Sequence, residues 1–370
     1  MLSAATASAG PDERAKRMHD RLTGVAGVEQ KLDDMSGLIA AGDAQAAAYL
    51  AMDHPAFYGV TLKNLFTPAT NRDFDVFAEL NDYTATVIGM IRDDIAFDTV
   101  LSANILYVGA DGLGLPAYSM SGNQHYAEIA ARGLDLRTAL VSRTQTEMTD
   151  LPPAAVAGVM STRAAAKAFF VAGTNRAMLR FTLVNYLCRD LEQLKDTSRS
   201  PGRIRQDVSR SPGGDSRIFM NNCVGCHSGM DPLAQAFAYY NYDETSGRLT
   251  YTPGQVQAKY HINAENFSYG FVTADDKWDN FWREGPNANL GWKSGLPGSG
   301  TGATSLGEEI AGTEVFAQCQ AKKAFKTVCL REPSNDADRI QLAAMSSSLE
   351  QGGFRMKQAF AEAAVYCMGD

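Results

Sequence analysis

Apolar residues recur at helical spacing along most of the chain, and this period predicts a mainly α fold. Residues 81–94 suit either a helix or a strand, and residues 107–127 and 284–307 are predicted to be glycine-rich loops. The predicted helices are 12–25, 43–54, 162–194 with a break near Gly173-Thr174, 314–328, 336–349, and a last helix carrying Met356, Phe360, Ala363 and Cys367 on one stripe.

One short motif, Cys-Val-Gly-Cys-His at residues 223–227, carries the most specific chemical signal. Two thiols three residues apart can bond both vinyl groups of a haem, and the next residue supplies an imidazole for the iron. A structural zinc site needs four ligands, usually in two close pairs, and the sequence has no second such pair. A thioredoxin-like dithiol would follow a strand, whereas the preceding residues look helical. The motif predicts one covalent haem c on Cys223 and Cys226, with His227 as the proximal iron ligand.

The flanking residues predict two short helices around the motif. Ser228 and Gly229 should end the first helix. Asp231 before Pro232 is typical of an N-cap followed by proline at the first helical position, so a second helix should reach about residue 242. The residues expected to pack against the haem, or else to form ordinary core, are Phe219, Met230, Leu233 and Phe237.

Composition and charge exclude several classes of protein. The chain has 370 residues, of which 45% are hydrophobic and 21% charged, as in globular domains. Its net charge of -8 disfavours nucleic acid as a partner, and no stretch approaches the roughly 18 apolar residues of a membrane span. Bacteria attach haem c after export, so we expect a periplasmic or extracellular location. The small residues at 1–10 resemble the end of an export leader, and we expect that the rest of the leader is missing from this sequence.

Four cysteines remain beside the haem pair, and in an exported protein they predict two disulfides. Cys319 and Cys329 should not pair with each other, because ten helical residues span about 15 Å. A disulfide needs Cα atoms within about 7 Å. Of the three possible connectivities, two remain. We favour Cys329–Cys367 with Cys188–Cys319, and one or more of these cysteines staying as buried free thiols is the alternative.

A stretch rich in serine, arginine and proline at residues 196–215 predicts a domain boundary. Its arginines are expected to be solvated, with contacts to haem propionates as the alternative. The predicted organisation is a leader remnant at 1–10, an N-terminal mostly helical domain at 11–160, long helices and a linker at 161–205, and a C-terminal cytochrome c-like haem domain with long loops at 206–370.

Three segments carry a resemblance to a known family. They are residues 92–108, residues 316–328 and, most specifically, 223–233, where Cys-x-x-Cys-His precedes Asp-Pro-Leu and Asp243 follows. Together they resemble an uncharacterised family of large cytochrome-like proteins, best known from planctomycetes and also found in proteobacteria. The chain departs from the family at Ala234, usually glycine, and at Gly109, often asparagine. The resemblance, over roughly residues 80–370, implies a c-type haem domain and no established reaction.

The second axial ligand of the iron would decide between electron transfer and catalysis. His261, in a strand-like segment, is the leading distal candidate. Met345 and Met368 are alternatives, as are an open iron and a ligand from the N-terminal half such as His54 or His125. The aromatic residues expected to pack in the core, or else to wall the haem edge, are Trp278, Phe281, Trp282 and Trp292.

The favoured function is an exported monohaem carrier that transfers electrons to a redox partner protein, alone or as the haem subunit of a larger redox complex. A single-haem carrier needs far fewer than 370 residues. The first alternative is therefore a peroxidase-like or oxidase-like haem enzyme with an open distal site. The second is a haem-bearing binding or scaffold subunit whose N-terminal helices carry the interface. No substrate is predicted.

Overall fold

Helices make up most of the computed structural model, which describes residues 9–171 and 175–369. Helices contain 58% of the residues and strands 7%, which confirms the prediction of a mainly α fold. The α-helices of the described residues are α1 (Pro11–Thr23), α2 (Glu29–Ala40), α3 (Ala44–Met52), α4 (Lys63–Phe66), α5 (Asp82–Arg92), α6 (Gln124–Ala131), α7 (Leu136–Ala139), α8 (Gln145–Met148), α9 (Arg163–Phe169), α10 (Arg176–Leu187), α11 (Ser216–Ile218), α12 (Val224–Ala234), α13 (Gly302–Ala311), α14 (Glu314–Cys329), α15 (Asp336–Gln351) and α16 (Met356–Cys367).

The strands of the described residues form three separate antiparallel pairs. They are β1 (Leu106–Gly109) with β2 (Leu140–Arg143), β3 (Tyr240–Asp243) with β4 (Arg248–Tyr251), and β5 (Lys277–Asp279) with β6 (Ser299–Thr301). The predicted loop at 107–127 is thus wrong at both ends, where β1 and α6 lie. Pairing with β2 supplies the backbone partners that a short, isolated glycine-ended strand cannot provide for itself.

The most buried helix, α5, resolves the ambiguous segment at 81–94. The side chain of Asn81 accepts a hydrogen bond from the Thr84 backbone N–H at 3.0 Å, which caps the helix at its start. Ten of its eleven residues are buried. A helix surrounded on all sides has no polar face, so its apolar residues lose the helical period and imitate a strand.

Helices from both ends of the chain share one hydrophobic core, which includes residues from Ala15 to Met368. The two ends meet directly, since Arg17 and Arg21 on α1 donate hydrogen bonds to the carbonyls of Met368 and Cys367. The C-terminal helices α14, α15 and α16 pack on one another, and α3 packs against α16.

Two disulfides join these helices, and both predicted pairings are confirmed. Cys188, just beyond α10, pairs with Cys319 on α14. Cys329 at the end of α14 pairs with Cys367 at the end of α16, and in each pair the Cα atoms are 5.4 Å apart.

Two sequence predictions fall on residues that the structure leaves undescribed. The leader remnant at 1–10 is described only at residues 9 and 10, and the predicted break at Gly173-Thr174 lies outside the described residues. Beyond this point α10 ends at Leu187 rather than continuing to 194, because Cys188 adopts a left-handed backbone conformation with φ 52°.

The arginines of the predicted linker are bound to the protein, so the expectation that they are solvated is wrong. Arg205 is fully buried. Arg199 bonds Glu284 at 2.9 Å, Arg203 bonds the side chain of Gln235 at 2.9 Å, and Arg210 bonds backbone carbonyls. Ion pairs and carbonyl acceptors from distant segments replace water around these side chains, which local composition does not reveal.

None of the helices in the described part of the chain is long and apolar enough to cross a membrane.

Candidate functional site

The Cys-x-x-Cys-His motif lies on one continuous helical segment. Residues Phe219–Cys223 form a π-helical turn that leads from α11 into α12. The prediction that Ser228 and Gly229 end the helix is wrong, because α12 continues to Ala234. Within the helix the Ser228 hydroxyl donates to the Val224 carbonyl at 2.7 Å instead of capping an end. Pro232 lies inside α12, close to its end, and does not begin a new helix. The chain then turns into β3 instead of continuing as a helix to residue 242.

Asp231 does not cap a helix but binds the histidine of the motif. His227 and Asp231 are four residues apart on α12, so their side chains lie on one helix face. The distance from His227 Nδ1 to Asp231 Oδ1 is 3.0 Å. The imidazole side chain is 19% exposed, whereas the carboxylate is fully buried.

Asp231 belongs to a group that we call the buried ion cluster, formed by Arg176, Arg205, Asp207 and Asp231. Arg176 Nε donates to Asp231 Oδ1 at 2.7 Å, and Arg176 Nη1 donates to Asp207 Oδ2 at 2.7 Å. Arg205 Nε donates to Asp207 at 3.3 Å, and the Arg205 backbone N–H donates to Asp231 Oδ2 at 3.3 Å. The four side chains carry balanced formal charges and join α10, α12 and the segment between them.

The cluster keeps Asp231 ionised. Burial by itself raises the pKa of the Asp231 carboxyl, but the positive charges of Arg176 and Arg205 and the hydrogen bond from His227 outweigh it and hold that pKa well below its usual range. An ionised carboxylate can only accept hydrogen bonds, so His227 Nδ1 must be the donor. A neutral imidazole with its proton on Nδ1 has its lone pair on Nε2, which is the atom left to bind a metal.

The two cysteines of the motif are the remaining thiols, since the other four of the six are paired. Both are partly buried, and Cys226 Sγ lies 3.6 Å from the Leu191 carbonyl oxygen. Burial, with the nearby Glu192 charge, raises the pKa of the Cys226 thiol. The Gly225 carbonyl accepts the Asp196 N–H at 3.0 Å, so the segment after α10 lies directly beside the motif.

Of the residues predicted to pack against the haem, Phe219 is the one that lies with a motif cysteine. It forms a small apolar cluster with Ile204 and Val208, against which Cys223 and Val224 pack. The other three are buried in the main core, and they are Met230, Leu233 and Phe237. Beside the cluster, Ile218 and Met220 are 42% and 60% exposed, which leaves apolar surface next to Cys223.

The leading distal candidate, His261, lies on a 3-10 turn, so the predicted strand is wrong. The two apolar residues of the alternating pattern do not share a buried face: Tyr260 is buried with the Arg205 guanidinium 4.5 Å from its ring centre, whereas Ile262 is 67% exposed. Asn263 donates to the Asp207 carbonyl at 2.7 Å. The segment of His261 is therefore attached to the buried ion cluster that also contains Asp231, the hydrogen-bond partner of His227.

The other candidates for the distal iron ligand lie on elements other than the segment of His261. Met345 is fully buried on α15, which packs on α14 and α16, and Met368 follows α16. His54 packs edge-on against His19. Both ring nitrogens of His125 are engaged, since Nε2 accepts the Gly109 N–H at 2.8 Å and Nδ1 contacts the Pro116 carbonyl at 2.6 Å. Which group binds the distal side stays a prediction.

Of the aromatic residues predicted to pack in the core or wall the haem edge, Trp278 and Trp282 are fully buried, and Trp282 contacts α12. A Cβ added to Gly229 would lie 1.9 Å from the Trp282 indole nitrogen. Trp278 bonds Ser305 at 2.9 Å, and Trp292 is only partly buried. Trp282 thus packs against the helix two residues after His227, which requires glycine at 229.

The donor set of this site fits a covalent haem. Two thiols outside the disulfides and an imidazole with its Nε2 available lie at attachment spacing on one helix, next to exposed apolar side chains. Among the described residues, no group of three or more His, Cys, Asp or Glu side chains could hold a metal ion. Haem iron takes four of its ligands from the porphyrin, so the fit depends on Cys223, Cys226 and His227.

Comparison with known proteins finds no matching family model, no matching curated protein and no matching solved structure. The resemblance to the planctomycete-type cytochrome family therefore stays a prediction.

Sequence reasoning missed Arg176 and Asp207 and misassigned Asp231. The spacing of His227 and Asp231 on a helix is a signal that could have identified their contact. Arg176 is 55 residues from Asp231, and nothing in the local sequence indicates that pairing.

Proposed function

We propose that this protein is an exported c-type cytochrome that carries one haem, bound covalently by Cys223 and Cys226 with His227 as an axial ligand, and that it transfers electrons to a partner protein. The observation that carries the proposal is the imidazole of His227, fixed through Nδ1 by Asp231 so that Nε2 is available, one residue after two thiols left out of the disulfides. The haem would supply a one-electron iron couple.

The rest of the chain is consistent with this assignment. Two disulfides favour an oxidising compartment such as the periplasm. The motif side chains are only partly buried, so a partner protein can approach the site. The net charge of -8 favours a partner with a basic surface.

Expression behind an export leader in a host that matures c-type haem tests the attachment. We expect haem staining to survive denaturing electrophoresis for the wild type and to be lost in C223A/C226A. The matched control is C188A/C319A, which also removes two cysteines but leaves the motif intact and should retain the stain. Haem that remains bound to C223A/C226A after denaturation would refute the assignment.

Visible spectra of the haem-loaded protein distinguish an electron carrier from a haem enzyme, because they report how the iron is coordinated. A six-coordinate low-spin spectrum that carbon monoxide does not change supports an electron carrier with two firm axial ligands. A spectrum that shifts on binding carbon monoxide means an accessible iron, and would replace the carrier by a haem enzyme.

A further inference from the structure

We propose that Asp231 is a positioning residue for the iron ligand: it holds the His227 imidazole in the tautomer and orientation that present Nε2, and it strengthens that ligand. The inference rests on the proposed haem attachment. Its structural basis is the 3.0 Å contact between His227 Nδ1 and Asp231 Oδ1 within one turn of α12.

Several hydrogen-bond donors hold the Asp231 carboxylate in place. Arg176 donates to both of its oxygens, at 2.7 and 3.2 Å, and the Arg205 backbone N–H donates to Oδ2 at 3.3 Å. The Asp231 backbone carbonyl accepts from Arg205 Nη1 at 3.3 Å. Because the side chain is fully buried, water does not compete with the imidazole for this acceptor.

A carboxylate behind a ligand histidine has two physical consequences. It fixes the ring orientation, and it makes the imidazole a stronger donor to the metal because negative charge lies behind Nδ1–H. Ferric iron carries one more positive charge than ferrous iron, so the stronger donor stabilises the ferric state. Asp231 should therefore lower the reduction potential of the haem relative to a neutral acceptor at the same place.

The first test compares D231N with D207N in the haem-loaded protein. Each variant removes one carboxylate charge from the buried ion cluster, but only Asp231 touches the imidazole. We expect D231N to raise the ferrous-to-ferric ratio at a given electrode potential about tenfold, which is 59 mV for a one-electron couple. D207N should change it clearly less. Equal changes of the reduction potential in the two variants would mean that the net charge of the cluster sets the potential. That result would overturn a specific role for the hydrogen bond between Asp231 and His227.

The second test needs no variant and no haem. Nitrogen NMR of the full chain, prepared without haem attachment and recorded at a pH where the spectrum shows a single proton on the ring, reports which ring nitrogen carries that proton. The structure predicts the Nδ1–H tautomer for His227. The Nε2–H tautomer would overturn the inference even if D231N fails to fold.

The two proposals fail in different ways. Wild-type protein that gains no covalent haem overturns the proposed function and this inference together. Haem that attaches normally, with a potential that D231N leaves unchanged, overturns only the role of Asp231.

Discussion

The substitution R176M should destabilise the protein far more than a surface arginine change, because Arg176 links two buried carboxylates. The side chains of Asp207 and Asp231 are both fully buried, and Arg176 bonds each at 2.7 Å. Methionine keeps a long flexible side chain but carries no charge. Removing one partner from a buried ion pair costs about 3–5 kcal/mol, since the remaining charge is left uncompensated. Arg205 still contacts Asp207, so we expect one such loss rather than two.

The same helix offers a matched control. Arg180 on α10 also pairs with an aspartate, Asp190, but these side chains are 46% and 39% exposed. R180M should therefore cost about 0–1 kcal/mol. Urea unfolding at pH 7, with midpoint and slope fitted together, measures both losses. If R176M costs no more than R180M, the buried ion cluster does not stabilise the fold as described.

The pH dependence gives a second check on the same substitution. Burial raises the pKa values of Asp207 and Asp231, but the neighbouring arginines outweigh it and hold both pKa values below their usual range. Carboxyls with lowered folded pKa values contribute stability above about pH 4 that is lost as the pH falls through those values. The cost of R176M should therefore stay constant from pH 7 to about pH 4 and shrink as the pH falls below about 4. A cost that does not shrink below about pH 4 would contradict the electrostatic explanation.

Three further predictions test other parts of the fold. C188A/C319A should lose up to about 5 kcal/mol of unfolding free energy in urea, since that disulfide spans 131 residues. G229A should lose about 1–3 kcal/mol in thermal unfolding, because its Cβ would overlap the buried Trp282 indole. Burial, with the nearby Lys326 charge, lowers the pKa of Lys323 to about 8. The native state then releases this proton before the unfolded chain does, so stability should rise between about pH 8 and 10, and K323M should reduce that rise.

Each of these predictions has its own comparison. The Cys329–Cys367 disulfide spans 38 residues, so C329A/C367A should lose about 4 kcal/mol of unfolding free energy, less than C188A/C319A. A larger loss in C329A/C367A than in C188A/C319A would contradict the loop-length argument. G37A, with open space around its Cβ on α2, should be neutral or stabilising by up to about 1 kcal/mol, and a loss equal to that of G229A would refute the steric argument. K277M changes an exposed amine and should leave the pH slope as it is, so an equal effect of both lysine variants would exclude Lys323 as the cause.

The parts of the fold that the sequence predicts well are those governed by local chemistry. The helices α1, α3, α14 and α15 begin and end within a few residues of their predicted limits, because capping residues such as Asp43, Thr313 and Asn335 are visible in the sequence. Helical rise also excludes a bond between Cys319 and Cys329, which removes one of the three possible disulfide connectivities but does not decide between the other two.

The parts that could not be predicted depend on contacts between distant segments. Asp231 before Pro232 is typical of a helix start, but binding to Arg176, 55 residues away, decides its role. The arginines at 203 and 205 look like a solvated linker until their partners from later segments are known. At the site, the motif predicts Cys223, Cys226 and His227 as one group, whereas the support behind His227 requires the three-dimensional structure.

The measurement that tests the central claim most directly is peptide mapping of the exported protein after reduction, complete denaturation and thiol alkylation. We predict that the peptide containing Cys223 and Cys226 carries the mass of one haem and no alkyl label, while the other four cysteines are labelled. Alkyl label on both Cys223 and Cys226, with no haem on that peptide, would contradict the assignment of this protein as a c-type cytochrome.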